Sequence, residues 1–270
     1  LPYILAGMRI GMGNSFQTLI VAEMLSANEG LGHLILNSRI QLSSEQMFVG
    51  IAGIMIAVSF QELLPQAAAG KAVFCEKPVS LSVDRIEACL KTVEKNKTTL
   101  MIGFNRRFDP NFASVQARVA AGELGKLEQL IIISRDPAPA PQEYIAVSGG
   151  IFRDMTIHDF DMARFFIPNI VEVSATGTNS FCDYIKAEND FDNVTVTLRG
   201  SQDEIVTIVN SRHASFGYDQ RIEAFGEKGM LVASNVQANT VKSYTADSVE
   251  VSEPYPNFFL ERYADAYRRE

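Results

Sequence analysis

Two segments of the sequence combine residue types that can transfer a proton. The first, residues 75–78, reads Cys-Glu-Lys-Pro and directly follows a short apolar run. Because ligands of open parallel α/β sheets bind at the carboxyl ends of the strands, Lys77 could present its ammonium group to a substrate oxygen there. Partial burial beside a ligand would make that group easier to deprotonate. The alternative is an ordinary surface lysine in a strand-to-helix turn.

The second segment is residues 149–161, which begins Gly-Gly and contains Asp154, His158 and Asp161. If the segment is one helix, the three side chains lie at i, i+4 and i+7 on one face. A carboxylate one turn from an imidazole can fix its tautomer and stabilise its charged form, as a general base acting on an alcohol requires. The alternatives are a solvated helix face and a metal site. Since no other His or Cys residues cluster nearby, we expect no metal.

Alternating strands and helices are predicted to position Lys77. The strands are 54–58, 71–75 and 99–104, and the first helix is 61–69, ending at Gly70. The second helix follows Ser82 and is expected to bury a stripe of Val83, Ile86, Leu90 and Val93. Strand–helix alternation with short links predicts a parallel, doubly wound sheet.

A different pattern begins after residue 104. One helix is predicted over 111–121, where it buries Phe112, Val115 and Val119. Another is predicted to begin after Gly150 and to end just before Pro168. The remaining segments read as strands with short turns: 129–134, 171–177, 194–198, 205–211, 221–225, 230–233 and 241–244. This succession predicts a mostly antiparallel sheet. The fold class is therefore α/β plus α+β, with domains at residues 1–104 and 105–270.

Composition excludes several classes of function. The formal net charge is −8, which argues against nucleic-acid binding and against docking to anionic membranes. The longest apolar run, residues 47–60, is shorter than the roughly 20 residues of a membrane span. No signal peptide is visible at the start, and three cysteines without a Cys-x-x-Cys pair fit reduced thiols. We therefore expect a cytoplasmic protein.

A dinucleotide-binding fingerprint is only partly present. Residues 6–11 read Ala-Gly-Met-Arg-Ile-Gly, so Ala and Met replace the first two glycines of G-x-G-x-x-G. The sequence Asn-Ser-Arg at 37–39, after a strand at 33–36, could suit a 2′-phosphate, although an ordinary loop is favoured. Residues 1–70 hold only six of the 56 charged side chains (24 basic, 32 acidic). We interpret the sequence of residues 1–70 as incorrectly read, and not as that of a protein that lost dinucleotide binding during evolution.

Five motifs together resemble the glucose-fructose oxidoreductase/inositol dehydrogenase (Gfo/Idh/MocA) family, over roughly residues 70–267. The motifs are residues 76–78, 103–109, 134–137, 149–165 and 218–221. Within the family, the inositol dehydrogenases are the most similar. The resemblance implies a Rossmann domain, a C-terminal domain with an open antiparallel sheet, and a homotetramer. It also implies hydride transfer from a secondary hydroxyl of a cyclic polyol, myo-inositol, to NAD, or alternatively NADP, giving a ketone.

The resemblance assigns roles to individual residues. Lys77 matches the catalytic lysine, and Asp154 with His158 match the acid–base pair. Polyol-binding positions fall on Arg107, Asp136 and Tyr218, with Asp161 on the same polar face. The cofactor positions are Gly7, Arg9, Ile10, Gly11, Glu76 and Lys77.

The sequence departs from the family pattern at three places. These are the glycine fingerprint, the Ser-Phe-Gln-Glu at 59–62 where a Thr-Pro and a His are usual, and the end at residue 270, where relatives continue. We expect a truncated chain. A sugar dehydrogenase of the same family and a non-catalytic member that lost the cofactor remain alternatives.

Overall fold

The computed structural model describes residues 66–270. The cofactor candidates Gly7, Arg9, Ile10 and Gly11 lie outside the described residues, as do the predicted strands 33–36 and 54–58 and the Asn-Ser-Arg segment 37–39. The chain divides between Ile102 and Gly103 into two compact units, which are described separately.

The first unit contains a strand–helix–strand arrangement. A helical turn ends at Gly70, which has φ of +71°. Strand β1 (Val73–Glu76), helix α1 (Val83–Asn96) and strand β2 (Leu100–Gly103) follow. The Val73 N–H donates to the Thr99 carbonyl at 2.9 Å, so the starts of β1 and β2 lie side by side. The two strands therefore run in the same direction, as predicted.

The buried stripe of α1 differs from the prediction. Cys89 is fully buried, whereas Val83 is 66% and Leu90 48% exposed. Cys89 packs with Cys75, Val93 and the β2 side chains. The residues Ile86, Cys89 and Val93 have the same three- and four-residue spacing as the predicted stripe, but they include Cys89 in place of Leu90. Helical periodicity alone did not distinguish these two possible buried faces.

The second unit is built on one six-stranded sheet. Its strands are β3 (Leu127–Arg135), β4 (Ile170–Thr178), β5 (Asn193–Gly200), β6 (Ile205–Ser211), β7 (Asp219–Gly226) and β8 (Gly229–Ala233). They lie in the order β4-β5-β6-β3-β7-β8. Only the β3–β6 pair is parallel, with Ile132 opposite Ile208, and the other four pairs are antiparallel. The predicted mostly antiparallel sheet is confirmed.

Helices cover one face of this sheet. A 3-10 helix (Asn105–Phe108) and α2 (Pro110–Ala120) come first, and the Asp109 carboxylate accepts the N–H groups of Asn111 and Phe112 at 3.0 Å. The later helices are α3 (Gln142–Ser148), α4 (Ile151–Asp154), α5 (Thr156–Phe166), α6 (Asp183–Ala187) and α7 (Phe259–Arg269). Sequence patterns did not predict α3, α6 or α7. A small hairpin is formed by β9 (Lys242–Ser243) and β10 (Val251–Ser252).

The core of the second unit lies between the helices and the sheet. Phe112 and Val115 of α2 and Met162 of α5 pack there against alternate residues of the strands, such as Leu130 and Ile208. The opposite face of the sheet keeps apolar side chains at the surface: Ile205, Phe225, Met230 and Val232. All three cysteines are free thiols. Within the described part of the chain, every helix is too short or too polar to cross a bilayer.

Candidate active site

Lys77 follows directly after β1 in the first unit. It is half-buried, and its peptide bond to Pro78 is cis. Burial raises the pKa of the neighbouring Glu76 carboxyl, although the Lys77 backbone N–H and ammonium group favour its charged form. Burial also raises the pKa of the Cys75 thiol. Glu76 and Lys77 thus lie at the carboxyl end of β1, the side of a parallel sheet where ligands bind.

Asp154 is the last residue of the four-residue helix α4 in the second unit. Its Oδ1 accepts a hydrogen bond from the Tyr144 hydroxyl at 2.7 Å. Its Oδ2 accepts one from Arg212 Nη1 at 3.3 Å. Both carboxylate oxygens are therefore held by donors from other parts of the chain.

His158 belongs to the first turn of α5, not to the helix that carries Asp154. The predicted continuous helix is wrong, because it breaks at Met155, which has φ −101° and ψ −59°. The His158 N–H donates to the Met155 carbonyl at 3.2 Å, three residues earlier in the chain. The half-buried imidazole meets the Phe104 ring edge to face, with centroids 6.3 Å apart. The i, i+4, i+7 spacing therefore does not describe one regular helix.

Asp136 lies in the same electrostatic environment as Asp154. It follows β3, and its N–H donates to the Ser211 carbonyl at 2.9 Å, at the end of the neighbouring strand β6. Its negative charge contributes to raising the pKa of Arg212, Tyr144 and Tyr218. The structure therefore brings Asp136, a predicted polyol-binding residue, close to the cluster around Asp154, which consists of Asp154, Tyr144 and Arg212.

Tyr218 is a buried residue just before β7. Burial raises the pKa of its hydroxyl well above the usual range, and the nearby Arg106 guanidinium opposes that shift. The ring lies edge to face against Tyr263, with centroids 6.1 Å apart. Its hydroxyl therefore stays neutral and can donate a hydrogen bond.

Arg107 and Asp161 form an ion pair with each other. Arg107 Nε and Nη2 reach the two carboxylate oxygens of Asp161 at 2.7 Å each. The Arg107 guanidinium also lies 4.8 Å from the centroid of the Phe165 ring. Asp161 is thus fixed to the 3-10 helix that carries Arg107.

A buried polar network anchors α5 beneath these residues, and sequence reasoning missed it. The Asp159 carboxylate, fully buried, accepts from Arg106, from the Ser134 hydroxyl at 2.6 Å and from Asn210 Nδ2 at 2.8 Å. The Thr156 hydroxyl donates to the Asn210 side-chain carbonyl at 2.7 Å. The network connects α5 to strands β3 and β6.

Arg212, Tyr144 and Asp190 were also missed. Arg212 is 1% exposed and lies 58 residues from its partner Asp154 along the chain. The only sequence signal was an arginine within the strand-rich region, where a fully buried cation is rare without a carboxylate partner. No spacing rule identifies which carboxylate that is.

Two family models match the chain. One, described as the oxidoreductase family with an NAD-binding Rossmann fold, covers residues 61–104. The other, the GFO/IDH/MocA C-terminal domain, covers residues 112–232. The chain belongs to the GFO/IDH/MocA family. The predicted fold class, a Rossmann-type domain followed by a domain with a mostly antiparallel sheet, is confirmed.

Individual members of the GFO/IDH/MocA family are also similar to the chain. Inositol 2-dehydrogenase of Rhizobium meliloti is 47% identical over 205 residues, which are 76% of this chain and 62% of that protein. The crystal structure of a myo-inositol dehydrogenase from Corynebacterium glutamicum aligns with a TM-score of 0.77 and 56% identity, over 79% of this chain and 64% of that one. A scyllo-inositol dehydrogenase from Lactobacillus casei, solved with NAD(H) and scyllo-inositol, aligns with a TM-score of 0.69 and 29% identity, over 77% and 63%. The chain therefore spans a little over three fifths of the length of these relatives.

Proposed function

We propose that this chain is part of an NAD-dependent dehydrogenase that oxidises a secondary hydroxyl of a cyclic polyol, myo-inositol, to the ketone 2-keto-inositol. The observation that supports it most is the Asp154 carboxylate, held by Tyr144 and Arg212 and followed by His158 four residues later. A carboxylate that orients an imidazole makes it a suitable general base for an alcohol, and we propose that Asp154 acts on His158 in this way. The inositol dehydrogenases among the relatives supply the substrate class.

In the proposed reaction, His158 accepts the proton of the substrate hydroxyl, and Asp154 stabilises the imidazolium that forms. Lys77 is proposed as a further catalytic residue that donates a hydrogen bond to the substrate. NAD, when bound, supplies the carbon that accepts the hydride. The alcohol thus loses one proton and one hydride and becomes a ketone. We propose that the cofactor binds to Glu76 and Lys77, which lie at the carboxyl end of β1. The other proposed cofactor-binding residues are Gly7, Arg9, Ile10 and Gly11.

The remaining hydroxyls are proposed to bind Arg107, Asp136, Asp161 and Tyr218. Each hydroxyl of an inositol ring can donate and accept, so neighbouring hydroxyls suit a guanidinium and a carboxylate side by side. Arg107 and Asp161 offer that combination at 2.7 Å from each other, with Arg107 38% exposed. Asp136 would accept and the neutral Tyr218 hydroxyl would donate.

The proposed assembly is a homotetramer formed through the open face of the sheet in the second unit. Phe225 and Met230, directly opposite each other on β7 and β8, are 41% and 52% exposed. Val232 follows Met230 on the same side of β8, and Ile205 is exposed on β6, with Gln129 of β3 between it and Phe225. Exposed apolar side chains such as Phe225 and Met230 are typical of protein–protein interfaces. The three free thiols support a reducing compartment, and we propose the cytoplasm.

Replacing His158 with Ala tests the proposed function. We expect kcat for myo-inositol oxidation to fall by about 10²–10⁴-fold, since a general base contributes that much, while the Kd for NAD stays the same. The matched control is His213→Ala, because His213 is exposed and contacts the Phe181 ring instead of the cluster around Asp154. Unchanged turnover in His158→Ala would refute the role of His158.

Two alternatives are separated by simple measurements. A related sugar dehydrogenase would oxidise an aldose faster than myo-inositol when a panel of inositols and sugars is compared. A non-catalytic relative is favoured by the altered fingerprint at residues 6–11. Calorimetric titration with NAD and NADP decides this case, because binding of neither would support a member that lost the cofactor.

A further inference from the structure

Arg212 connects two carboxylates of the second unit, those of Asp154 and Asp190. Its side chain is 1% exposed. Nη1 lies 3.3 Å from Asp154 Oδ2, and Nη2 lies 3.3 Å from Asp190 Oδ2. A planar guanidinium can bridge two carboxylates with separate nitrogens, which a lysine ammonium cannot reproduce with the same geometry.

Asp190 and Arg212 hold opposite ends of helix α4. Asp190 Oδ1 accepts the N–H of Ile151, the first residue of α4, at 2.8 Å. Arg212 contacts Asp154, the last residue of α4. Gly150, just before the helix, has φ of +81°, and a Cβ there would come within 2.9 Å of Asp190 Oδ1. The close approach of Asp190 to the helix start therefore requires glycine.

Helix α4 has little stability of its own. It contains four residues, and isolated helices shorter than about 12 residues are marginal in water. The break at Met155 also separates Asp154 from the regular hydrogen bonds of α5. The position of the Asp154 carboxylate therefore depends on its side-chain contacts in addition to the backbone bond from its N–H to the Gly150 carbonyl at 3.0 Å.

We propose that Arg212 is a positioning residue of the active site, which clamps α4 through Asp154 and Asp190 and so fixes the carboxylate that orients His158. This inference rests on the proposed function, because it assigns Arg212 a role in the same reaction. Tyr144 completes the arrangement by holding the other oxygen of Asp154.

The charges around Asp154 explain why the residue at position 212 must be a cation. Tyr144 faces it from α3, Arg212 from the end of β6, and Asp136 and Asp190 act on it through the same cluster. Burial lowers the pKa of Arg212, but Asp154, Asp136 and Asp190 more than compensate, so its net pKa is raised. Without Arg212, Asp154 and Asp190 would both lose the guanidinium that lies 3.3 Å from each of them.

The test compares Arg212→Met and Arg212→Lys in the full chain. In Arg212→Met we expect kcat to fall on the order of 100-fold, because a displaced catalytic group costs about this much. The pKa of His158 should rise, because the guanidinium that pairs with the Asp154 carboxylate no longer offsets its negative charge. In Arg212→Lys the pKa of His158 should stay constant while kcat still falls, because the charge remains but the bridge is lost.

The His158 titration is read by NMR without substrate or cofactor. The chain has only three histidines, and His158→Ala assigns the resonance. The control is Arg262→Met, which removes another buried arginine, paired with Asp109, and should lower the Tm without moving the His158 pKa. If Arg212→Met does not fold, the test rests on Arg212→Lys alone. A kcat equal to that of the wild type in Arg212→Lys would contradict the proposed positioning role of Arg212.

The outcomes separate the two proposals. A wild-type protein that oxidises no polyol would refute the proposed function, while the NMR titration would still measure the coupling of Arg212 to His158. A folded Arg212→Met protein with unchanged kcat and unchanged His158 pKa would overturn the positioning role.

Discussion

At the scale of single residues, the contacts of Asp154 differ from those of an ordinary surface carboxylate. Each oxygen receives a donor from a distant part of the chain, one from Tyr144 and one from Arg212. Hydrogen bonds to a charged group contribute about 1.5–3 kcal/mol, more than those between neutral groups. Removing one donor should therefore affect both stability and the orientation of the carboxylate.

Tyr144→Phe tests this contribution. We expect the free energy of unfolding to fall by about 1.5–3 kcal/mol, because the Asp154 carboxylate loses a buried donor. The control is Tyr184→Phe, since the Tyr184 hydroxyl donates to the neutral Ala140 carbonyl at 2.9 Å and should cost only about 0.5–1.5 kcal/mol. Urea denaturation followed by circular dichroism measures both. Equal losses in the two variants would show that the charge of Asp154 adds nothing.

At the scale of elements, α5 is the helix that relates His158 to the sheet. Its apolar residue Met162 is fully buried in the core, and its polar residue Asp159 bonds to the 3-10 helix and to strands β3 and β6. Apolar packing alone holds a helix against a sheet but lets it slide along the surface. Directional hydrogen bonds fix the position of the helix along the sheet. The network thus positions His158, one residue before Asp159.

Asp159→Asn should break this anchoring. We expect a loss of about 3–5 kcal/mol in the free energy of unfolding, because Arg106 would be left buried without its carboxylate. The neighbouring pair offers a control on the same helix. Asp161→Asn leaves Arg107, which is 38% exposed, and should cost about 1 kcal/mol or less. Thermal and urea unfolding of both variants measure the difference, and similar losses would contradict the dominant role of Asp159.

At the scale of the whole molecule, the open sheet face of the second unit is the feature that helices leave uncovered. Phe225, Met230, Val232 and Ile205 lie there at 41% to 52% exposure. We expect self-association through this face to produce the proposed tetramer, because burial of apolar surface is the main driving force of stable assembly.

Charged substitutions test the assembly. The double variant Phe225→Glu with Met230→Glu places two carboxylates opposite each other on β7 and β8. We expect sedimentation velocity to show smaller species than the wild type, because the apolar face becomes charged. Val83→Glu is the control, since Val83 is equally apolar, 66% exposed and on α1, outside the sheet. A tetramer that persists in the double variant would exclude this face as the interface.

The sequence alone determined most of the elements around the site. The strand-like composition of the segment predicted Ile205–Ser211 with its observed ends, and helical spacing predicted that Phe112 and Val115 are buried. The family motifs indicated the residues of the candidate site, and their catalytic and binding roles stay predictions. Such features depend on local periodicity and turn chemistry, which adjacent residues contain.

Only the tertiary structure determined how the site is held. The break at Met155 lies within a sequence with good helical spacing, and α7 was not predicted although it buries Tyr263. Arg212 meets Asp154 across 58 residues, and Arg106 meets Asp159 across 53. A buried charge takes whichever partner the folded chain brings to it, and no spacing along the chain contains that choice.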